Sequence, residues 1–142
     1  MPEPKIILTD TATPEELAVI GEGLRAYNTS QAGFDDYKRL AIFVTDPDSG
    51  AIVGGIYGGS YLGQLSIERV FLPESQRRYR LGSRLLAMAE DEARKRGCSR
   101  ITLNTLEIQA RGFYMKQGFE TAATLDCDPP GITRYVMTKK LK

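Results

Sequence analysis

The pattern of apolar and polar residues changes between two periods along the chain. A two-residue alternation is typical of β-strands, and a period of about 3.6 residues is typical of amphipathic helices. The alternation and several short apolar runs predict strands at residues 5–9, 39–45, 51–58, 61–72, 101–103, 119–125 and 133–138. The helical period predicts helices at residues 14–28, 81–96 and 109–117. Residues 29–38 are polar, and we predict a loop or a short further helix there.

Short local signals mark where several of these elements begin and end. Thr13 is predicted to cap the first helix, with Pro14 at its first position and Glu16 placed to complete a capping box. Residues 46–50 read DPDSG, in which the proline presets φ and the glycine admits a positive φ. This segment is therefore predicted to turn the chain into a hairpin. Gly97 is predicted to stop the long second helix.

The strand predicted at residues 61–72 leads into the most distinctive part of the chain. Regular alternation would place four side chains on one face, namely Leu65, Ile67, Arg69 and Phe71. It would place the intervening residues on the other face, namely Ser66, Glu68, Val70 and Leu72. On this interpretation Glu68 and Val70 share a face of the strand.

The order of predicted elements is β-α-β-β-β-α-β-α-β-β. Such an order predicts an α/β (α+β) fold with a mixed central sheet of about six to seven strands and three to four helices. A chain of 142 residues without a linker or repeat fits a single domain, so we expect residues 1–142 to form one unit.

The composition excludes some functions. The 19 basic and 18 acidic side chains give a net charge of +1, so the chain has no overall attraction to nucleic acid or to a membrane surface. No stretch is long and apolar enough to span a bilayer. The N-terminal residues MPEPKIILTD lack a signal-peptide pattern, and we expect a cytoplasmic protein.

The chain lacks residue types that several catalytic and metal-binding sites require. The chain has no histidine and two cysteines, Cys98 and Cys127, so a four-ligand Cys/His zinc site cannot form and no metal is expected. Catalysis by Ser-His-Asp or Cys-His arrangements is also excluded. Any proton transfer must use a carboxylate, tyrosine, lysine, cysteine or water. We expect Cys98, which follows the helix stop, to lie in the core.

One short stretch, ESQRRYRLGSRLL at residues 74–86, concentrates positive charge at the start of a helix. A helix N-terminus offers unpaired N–H donors, and Arg77, Arg78 and Arg80 add guanidinium groups that can grip an anion. This combination fits a diphosphate. A solvated basic surface is the alternative interpretation of the same residues. The stretch is neither a P-loop nor a dinucleotide-binding fingerprint, because the required lysine and spaced glycines are absent.

Two segments together carry a resemblance to a known family. The first reads VFLP at residues 70–73 and RRYRLGSRLL at residues 77–86. The second reads FYMKQGFE at residues 113–120, with QA at residues 109–110 before it. They resemble motif A and the Phe-Tyr-x-Lys-x-Gly-Phe signature of the GNAT superfamily of N-acetyltransferases. The order of elements agrees along nearly the whole chain.

The match to motif A has one departure. The family pattern is Arg/Gln-x-x-Gly-x-Gly/Ala, and Arg77 matches its first position and Gly82 its last. Arg80 stands where the family usually has its first glycine. Two interpretations of Arg80 remain open: its N–H replaces that of the glycine, which would require a negative φ, or its guanidinium reaches a phosphate.

The resemblance implies that acetyl-CoA is a co-substrate, bound in a wedge where the central sheet splays. The backbone of Val70 and Leu72 would pair with pantetheine, and an N–H near Val70 or Phe71 would polarise the thioester carbonyl. The backbone from Arg77 to Ser83 would wrap the diphosphate. By position, the cofactor-binding residues would be Val70, Phe71, Leu72, Arg77, Arg78, Tyr79, Arg80, Leu81, Gly82, Ser83 and Asn104.

The resemblance also implies the catalytic groups. Tyr114 would be the general acid for the departing thiolate, although a core aromatic is the alternative. Glu68 would be the general base, and a structural partner for a nearby arginine is its alternative, with a water chain then accepting the proton. Tyr27, Glu107 and Gln109 are weaker candidates for contact with the acceptor.

Three functions are therefore compatible with the residues. The first is direct transfer of an acetyl group from acetyl-CoA to an amine, on a small molecule or on a peptide or protein. The second is a non-catalytic module of the same fold that binds acyl-CoA. The third is a nucleic-acid-binding domain, which the balanced charge disfavours. We expect no nucleic-acid or membrane partner, and a homodimer remains open.

Overall fold

The computed structural model describes residues 1–77 and 79–142. These residues form two compact units, Met1–Asp35 and Asp36–Lys142. Each unit is described below by itself.

The first unit contains one regular element, helix α1 (Pro14–Ala32). The predicted capping box is present, because the Thr13 side chain accepts from the Glu16 N–H and the Glu16 carboxylate accepts from the Thr13 N–H. The helix continues beyond the predicted end near Asn28, since residues 29–32 contain no glycine or proline. Gly33 takes a φ of +88° and closes the helix.

The strand predicted at residues 5–9 is wrong, because the structure assigns no strand there. An apolar run forms a strand only where a neighbouring strand supplies hydrogen-bond partners. Within residues 1–35 the described chain contains no such strand.

The second unit is built on an open sheet of six strands. They are β1 (Lys38–Thr45), β2 (Ile52–Tyr61), β3 (Gln64–Phe71), β4 (Arg100–Leu106), β5 (Glu120–Asp126) and β6 (Thr133–Lys140). Their order across the sheet is β1-β2-β3-β4-β6-β5, with β3 and β4 parallel and the other pairs antiparallel. This mixed sheet confirms the predicted fold class.

Two further helices and a short 3₁₀ turn complete the second unit. Helix α2 (Leu81–Lys95) follows the 3₁₀ turn Glu74–Gln76, and helix α3 (Arg111–Lys116) lies between β4 and β5. Gly97, with a φ of +79°, follows the end of α2 as predicted. No helix within residues 1–77 and 79–142 is both long and apolar enough to cross a membrane.

The core lies between the sheet and the faces of α2 and α3. Its buried apolar members are Leu40, Ile56, Leu65, Ile67, Leu85, Leu86, Ala89, Ala93, Cys98, Ile101, Leu103, Tyr114, Phe119, Tyr135 and Met137. The apolar stripe of α2 therefore faces the sheet, as the helical period predicts. The expectation that Cys98 is a core residue is confirmed, since it is 2% exposed.

Strand β3 departs from the predicted alternation at Glu68. Ile67 pairs with Gly58 and Arg69 with Tyr57, so Glu68 is an extra residue in a β-bulge. Beyond the bulge the alternation is reversed: Arg69 is exposed, whereas Val70 packs against the core. The prediction that Leu65, Ile67, Arg69 and Phe71 share one face is therefore wrong, because one inserted residue shifts a two-residue period by half a cycle.

The beginning of β3 also differs from the prediction. Leu62 and Gly63 have φ values of +53° and +77° and form a two-residue turn between β2 and β3. Positive φ at both central residues is the geometry that a tight hairpin requires. The strand predicted from residue 61 therefore begins at Gln64.

One partly buried arginine connects the end of α2 to the first two strands by hydrogen bonds. The side chain of Arg96 is 11% exposed, and its Nε donates to Glu92 at 2.7 Å. Its Nη1 donates to the Lys38 carbonyl at 3.0 Å and to Ser60 Oγ at 3.1 Å. Its Nη2 donates to the Arg39 carbonyl at 3.0 Å. All three guanidinium nitrogens thus have acceptors on α2, β1 or β2.

Candidate active site

A cleft opens where the two parallel strands stop pairing. The register of β3 with β4 runs from Gln64 opposite Arg100 to Ile67 opposite Leu103, and no pair follows. Beyond that point the strands diverge, and the cleft between them has a volume of about 660 Å³. This separation is the splay that the resemblance predicts for the middle of the sheet.

Most of the predicted site residues line this cleft. They are Glu68, Val70, Phe71, Leu72, Arg77, Arg80, Gly82, Ser83, Asn104, Gln109 and Tyr114. Tyr79, Leu81 and Glu107 do not line it. Tyr27 belongs to α1 in the other unit, and Arg78 lies outside the described residues.

Tyr114 is a buried tyrosine on α3 whose hydroxyl has no hydrogen-bond partner among the described residues. Its ring meets Phe113 and Phe119 edge-on, at centroid distances of 5.4 and 5.7 Å. The residue is 7% exposed, and this burial raises the pKa of its phenol above the usual value. The side chain is therefore a core aromatic and a cleft-lining phenol at once, and it stays protonated at neutral pH.

Glu68 lies at the bulge of β3, where the cleft begins. Its side chain is exposed, and it makes no hydrogen bond or ion pair within the described residues. The alternative that Glu68 serves as a structural partner for Arg69 finds no support, because Arg69 Nε donates to the hydroxyl of Tyr57 at 3.2 Å. A carboxylate without a partner at this point can accept a proton from a group in the cleft.

The loop before α2 contains two non-glycine residues in the left-handed region. Tyr79 has a φ of +61° and Arg80 a φ of +55°. The negative φ that the first interpretation of Arg80 required is therefore absent, whereas the role of its N–H stays a prediction. Arg80 instead adopts the conformation that glycine favours, at a cost of about 1 kcal/mol or more for a residue with a Cβ.

This backbone leaves several N–H groups available at the start of α2. The first intrahelical bond runs from the Arg84 N–H to the Arg80 carbonyl at 3.0 Å. The N–H groups of Leu81, Gly82 and Ser83 therefore precede the helical ladder and have no acceptor within it. Successive N–H groups in a left-handed to right-handed turn form a concave anion-binding surface. Nearby, Arg77 Nε donates to the Leu72 carbonyl at 3.2 Å, which holds the loop against the end of β3.

Gly82 packs against Phe113, a residue of the second motif. A Cβ placed on Gly82 would lie 3.1 Å from Cζ of Phe113, closer than ordinary side-chain contacts. From the sequence, Gly82 was interpreted as allowing a ligand to approach the backbone. In the structure the space beside its Cα is also taken by the Phe113 ring, so the glycine allows α2 and α3 to pack closely.

The same two helices are joined by a polar contact that the sequence analysis did not identify. Gln117 Nε2 donates to Ser83 Oγ at 3.1 Å. The Gln117 carbonyl accepts from Lys139 Nζ at 2.7 Å, and Lys139 Nζ also donates to Glu90 at 2.5 Å. Position 117 is variable in the family signature, so no sequence signal pointed to it.

Of the two candidates beyond the end of β4, Glu107 lies in a polar cluster outside the cleft lining. The Tyr135 hydroxyl donates to the Glu107 carboxylate, and this bond raises the pKa of Tyr135. The guanidinium of Arg111 stacks on the Tyr135 ring at 4.2 Å from its centroid. Gln109 Oε1 accepts from the Leu106 N–H at 2.7 Å, which folds the Gln109 side chain over the end of β4. Glu107 is therefore engaged away from the cleft lining, while Gln109 remains part of it.

Known acetyltransferases are similar to this chain along most of its length. A family model described as "Acetyltransferase (GNAT) family" matches residues 10–119. An acetyltransferase of Agrobacterium fabrum is 35% identical over 119 residues, which cover 84% of this chain and 86% of the relative. The blasticidin-S acetyltransferase of Streptomyces morookaense is 36% identical over 95 residues, or 66% of this chain and 70% of that protein.

The similarity extends to three-dimensional structure. A crystal structure from Agrobacterium tumefaciens, described as that of an acetyltransferase, matches with a TM-score of 0.87 at 32% identity. The match covers 96% of this chain and 99% of that one. The fold is therefore shared with a solved structure over almost the full length.

Proposed function

The chain belongs to the GNAT acetyltransferase family, and on that premise we propose that its cleft holds acetyl-CoA and passes the acetyl group directly to an amine. The family assignment makes the protein an acetyl-CoA-dependent acetyltransferase. The observation that carries the proposal is the cleft between β3 and β4, which is lined by Tyr114 and Glu68, two residues whose hydroxyl and carboxylate have no partner within residues 1–77 and 79–142.

The cleft between β3 and β4 offers backbone hydrogen-bonding groups for the pantetheine arm of acetyl-CoA. On the side facing β4, no described strand pairs with β3 beyond Ile67. An extended ligand can complete such an edge by backbone hydrogen bonds, in the way that a peptide adds a strand to a sheet. We assign this role to the backbone of Val70 and Leu72, and the polarisation of the thioester carbonyl to an N–H near Val70 or Phe71.

We propose that the loop at the start of α2 binds the diphosphate of acetyl-CoA. Support comes from the N–H groups of Leu81, Gly82 and Ser83 and from the side chains of Arg77 and Arg80, which line the cleft. The guanidinium groups strengthen the attraction for a dianion. Because the backbone of Arg80 already takes the left-handed conformation, its main chain can follow the path of the family's glycine.

Glu68 and Tyr114 divide the proton transfers. In the proposed step the amine nitrogen bonds to the thioester carbon, and the carbon–sulfur bond breaks. Glu68, directly or through water, takes the proton from the amine. Tyr114 supplies a proton or a hydrogen bond to the departing thiolate, and its raised pKa keeps the phenol protonated for this role. Solvent then restores the proton of Tyr114.

For the acceptor we propose a small molecule that carries an amine. Support comes from a relative, 36% identical, that is named as a blasticidin-S acetyltransferase. A peptide or protein amine is the competing acceptor class, and a module that binds acyl-CoA without turnover is the competing function.

The decisive experiment measures free thiol released from acetyl-CoA in the presence of a panel of small amines and amine-bearing peptides. We expect turnover with at least one small amine and a strong reduction of kcat in Tyr114→Phe. Tyr135→Phe is the matched control, because Tyr135 is also 7% exposed but lies outside the cleft lining. Binding of CoA without turnover on any amine would favour the non-catalytic module.

A further inference from the structure

The hydrogen bond between Ser83 and Gln117 joins the proposed diphosphate loop to the segment that carries Tyr114. Ser83 lies in the first turn of α2 and lines the cleft, and Gln117 directly follows α3. The Gln117 amide donates to Ser83 Oγ at 3.1 Å, and both residues are partly buried. No other described side chain or backbone group bonds to the Ser83 hydroxyl.

The direction of this bond decides what the Ser83 hydroxyl can offer. A serine hydroxyl has one proton to donate and two lone pairs to accept with. Because the Gln117 amide fills one lone pair, the Ser83 proton remains available. A hydroxyl that lines an anion site and keeps its proton can donate to a phosphate oxygen, whereas a hydroxyl that gives its proton to a protein acceptor cannot.

We propose that Gln117 is a positioning residue that sets the Ser83 hydroxyl as a hydrogen-bond donor to the diphosphate of CoA. This inference rests on the proposed function, since it requires the diphosphate to lie at the start of α2. Gln117 itself does not touch the ligand. It acts through Ser83.

The backbone of Gln117 is held firmly enough to serve this purpose. Its carbonyl accepts from Lys139 Nζ at 2.7 Å, and Lys139 is paired with Glu90 of α2. Its N–H donates to the Tyr114 carbonyl at 3.0 Å. The base of the side chain is therefore fixed relative to α2 and α3, and the amide reaches Ser83 from a defined point.

The test measures the dissociation constants of CoA, 3′-dephospho-CoA and pantetheine for the wild-type chain and four variants. The variants are Ser83→Ala, Gln117→Met, Gln117→Glu and the double variant Ser83→Ala with Gln117→Met. Methionine removes the donor at similar size. Glutamate is isosteric with glutamine and can only accept, so it would draw the Ser83 proton away from the cleft. Thermal unfolding of each variant reports whether the fold is retained.

We expect Ser83→Ala to weaken CoA binding about tenfold, the effect of losing one hydrogen bond to a charged group. Gln117→Met and Gln117→Glu should each weaken it severalfold, equally for 3′-dephospho-CoA, which keeps the diphosphate. Pantetheine lacks the diphosphate, so its affinity should not change. The double variant should bind CoA no more weakly than Ser83→Ala alone.

Several results would overturn the inference. One is wild-type affinity for CoA in Gln117→Met or Gln117→Glu. Another is a double variant whose loss equals the product of the single losses, since Gln117 would then act independently of Ser83. A third is an equal loss of pantetheine binding, which would indicate a general structural role. If the wild-type chain does not bind CoA, the proposed function fails as well.

Discussion

The ring of Phe113 lies against the Cα of Gly82, so that a Cβ on Gly82 would stand 3.1 Å from Phe113 Cζ. The glycine belongs to the first motif and the phenylalanine to the second, and they come from helices α2 and α3. This contact sets how closely the phosphate-loop helix approaches the helix that carries Tyr114.

Substitution of Gly82 should therefore depend on Phe113. In a helix, alanine is favoured over glycine by about 1 kcal/mol, but at this position the ring must move to admit a Cβ. We expect Gly82→Ala to give no gain in the wild-type background and to stabilise the chain in a Phe113→Leu background. Urea unfolding of the wild-type chain, the two single variants and the double variant measures the coupling free energy between positions 82 and 113. This coupling should exceed about 0.5 kcal/mol, because the two residues are in contact. Additive effects of the two substitutions would contradict the packing role.

Arg80→Gly should stabilise the chain. Arg80 has a φ of +55°, and glycine removes the steric cost of this conformation. We expect a gain of about 1 kcal/mol and a rise in Tm of a few degrees. If only the backbone contacts the diphosphate, CoA affinity should be kept or improved.

Arg80→Ala is the matched control for the same position. It removes the guanidinium but keeps the strained φ, so it should be less stable than Arg80→Gly. Equal and clear losses of CoA affinity in the two variants would instead show that the guanidinium grips a phosphate.

Arg96 should be far more important for stability than its neighbour Arg94. Removing the Arg96 side chain, which is 11% exposed, would take N–H donors away from the Lys38 and Arg39 carbonyls and from Ser60 Oγ. We expect Arg96→Ala to lower the free energy of unfolding by about 2 kcal/mol, because several hydrogen bonds are lost at once. The side chain of Arg94 is 50% exposed and, among the described residues, pairs with Glu90 and Asp91 on the helix surface. Arg94→Ala should therefore lower the free energy of unfolding by about 0.5 kcal/mol. Similar denaturant midpoints for the two variants would contradict the fastening role of Arg96.

The pH dependence of turnover should reflect the raised pKa of Tyr114. Tyr114 must be protonated to act, and its pKa is raised above the usual value of 10 by burial. Its ionisation should therefore produce no falling limb below about pH 10. Tyr114→Phe should lower kcat across this range. Glu68→Gln should also lower kcat, because a carboxamide cannot take the proton from the amine, and a wild-type kcat in Glu68→Gln would remove Glu68 from the role.

The sequence alone determined the fold class and the family. Helix boundaries followed from local chemistry, such as the Thr13 capping box and Gly97, because these signals act within a few residues. Two motifs at the right separation carried the family resemblance, and that resemblance implied a sheet that splays. These features depend on short-range pattern, which a linear chain already contains.

The structure differs from the sequence predictions where an element depends on residues that are distant in the chain. Residues 5–9 look like a strand by composition, yet a strand needs a neighbour to pair with. One bulge at Glu68 reversed the faces of the second half of β3, because register is a property of two strands together. The positive φ of Arg80 is also a result of the surrounding loop and not of arginine itself.

The candidate site shows the same division. The sequence predicted Tyr114 from its position in the second motif, and Glu68 from its place on the strand just before the first motif. Only the tertiary structure showed that Gly82 packs on Phe113 and that Gln117 bonds to Ser83, pairs that are 31 and 34 residues apart in sequence. Contacts of this kind form only when the β3 and β4 strands bring α2 and α3 together. The chain thus specifies which groups are present, and the packing of the helices decides which of them meet.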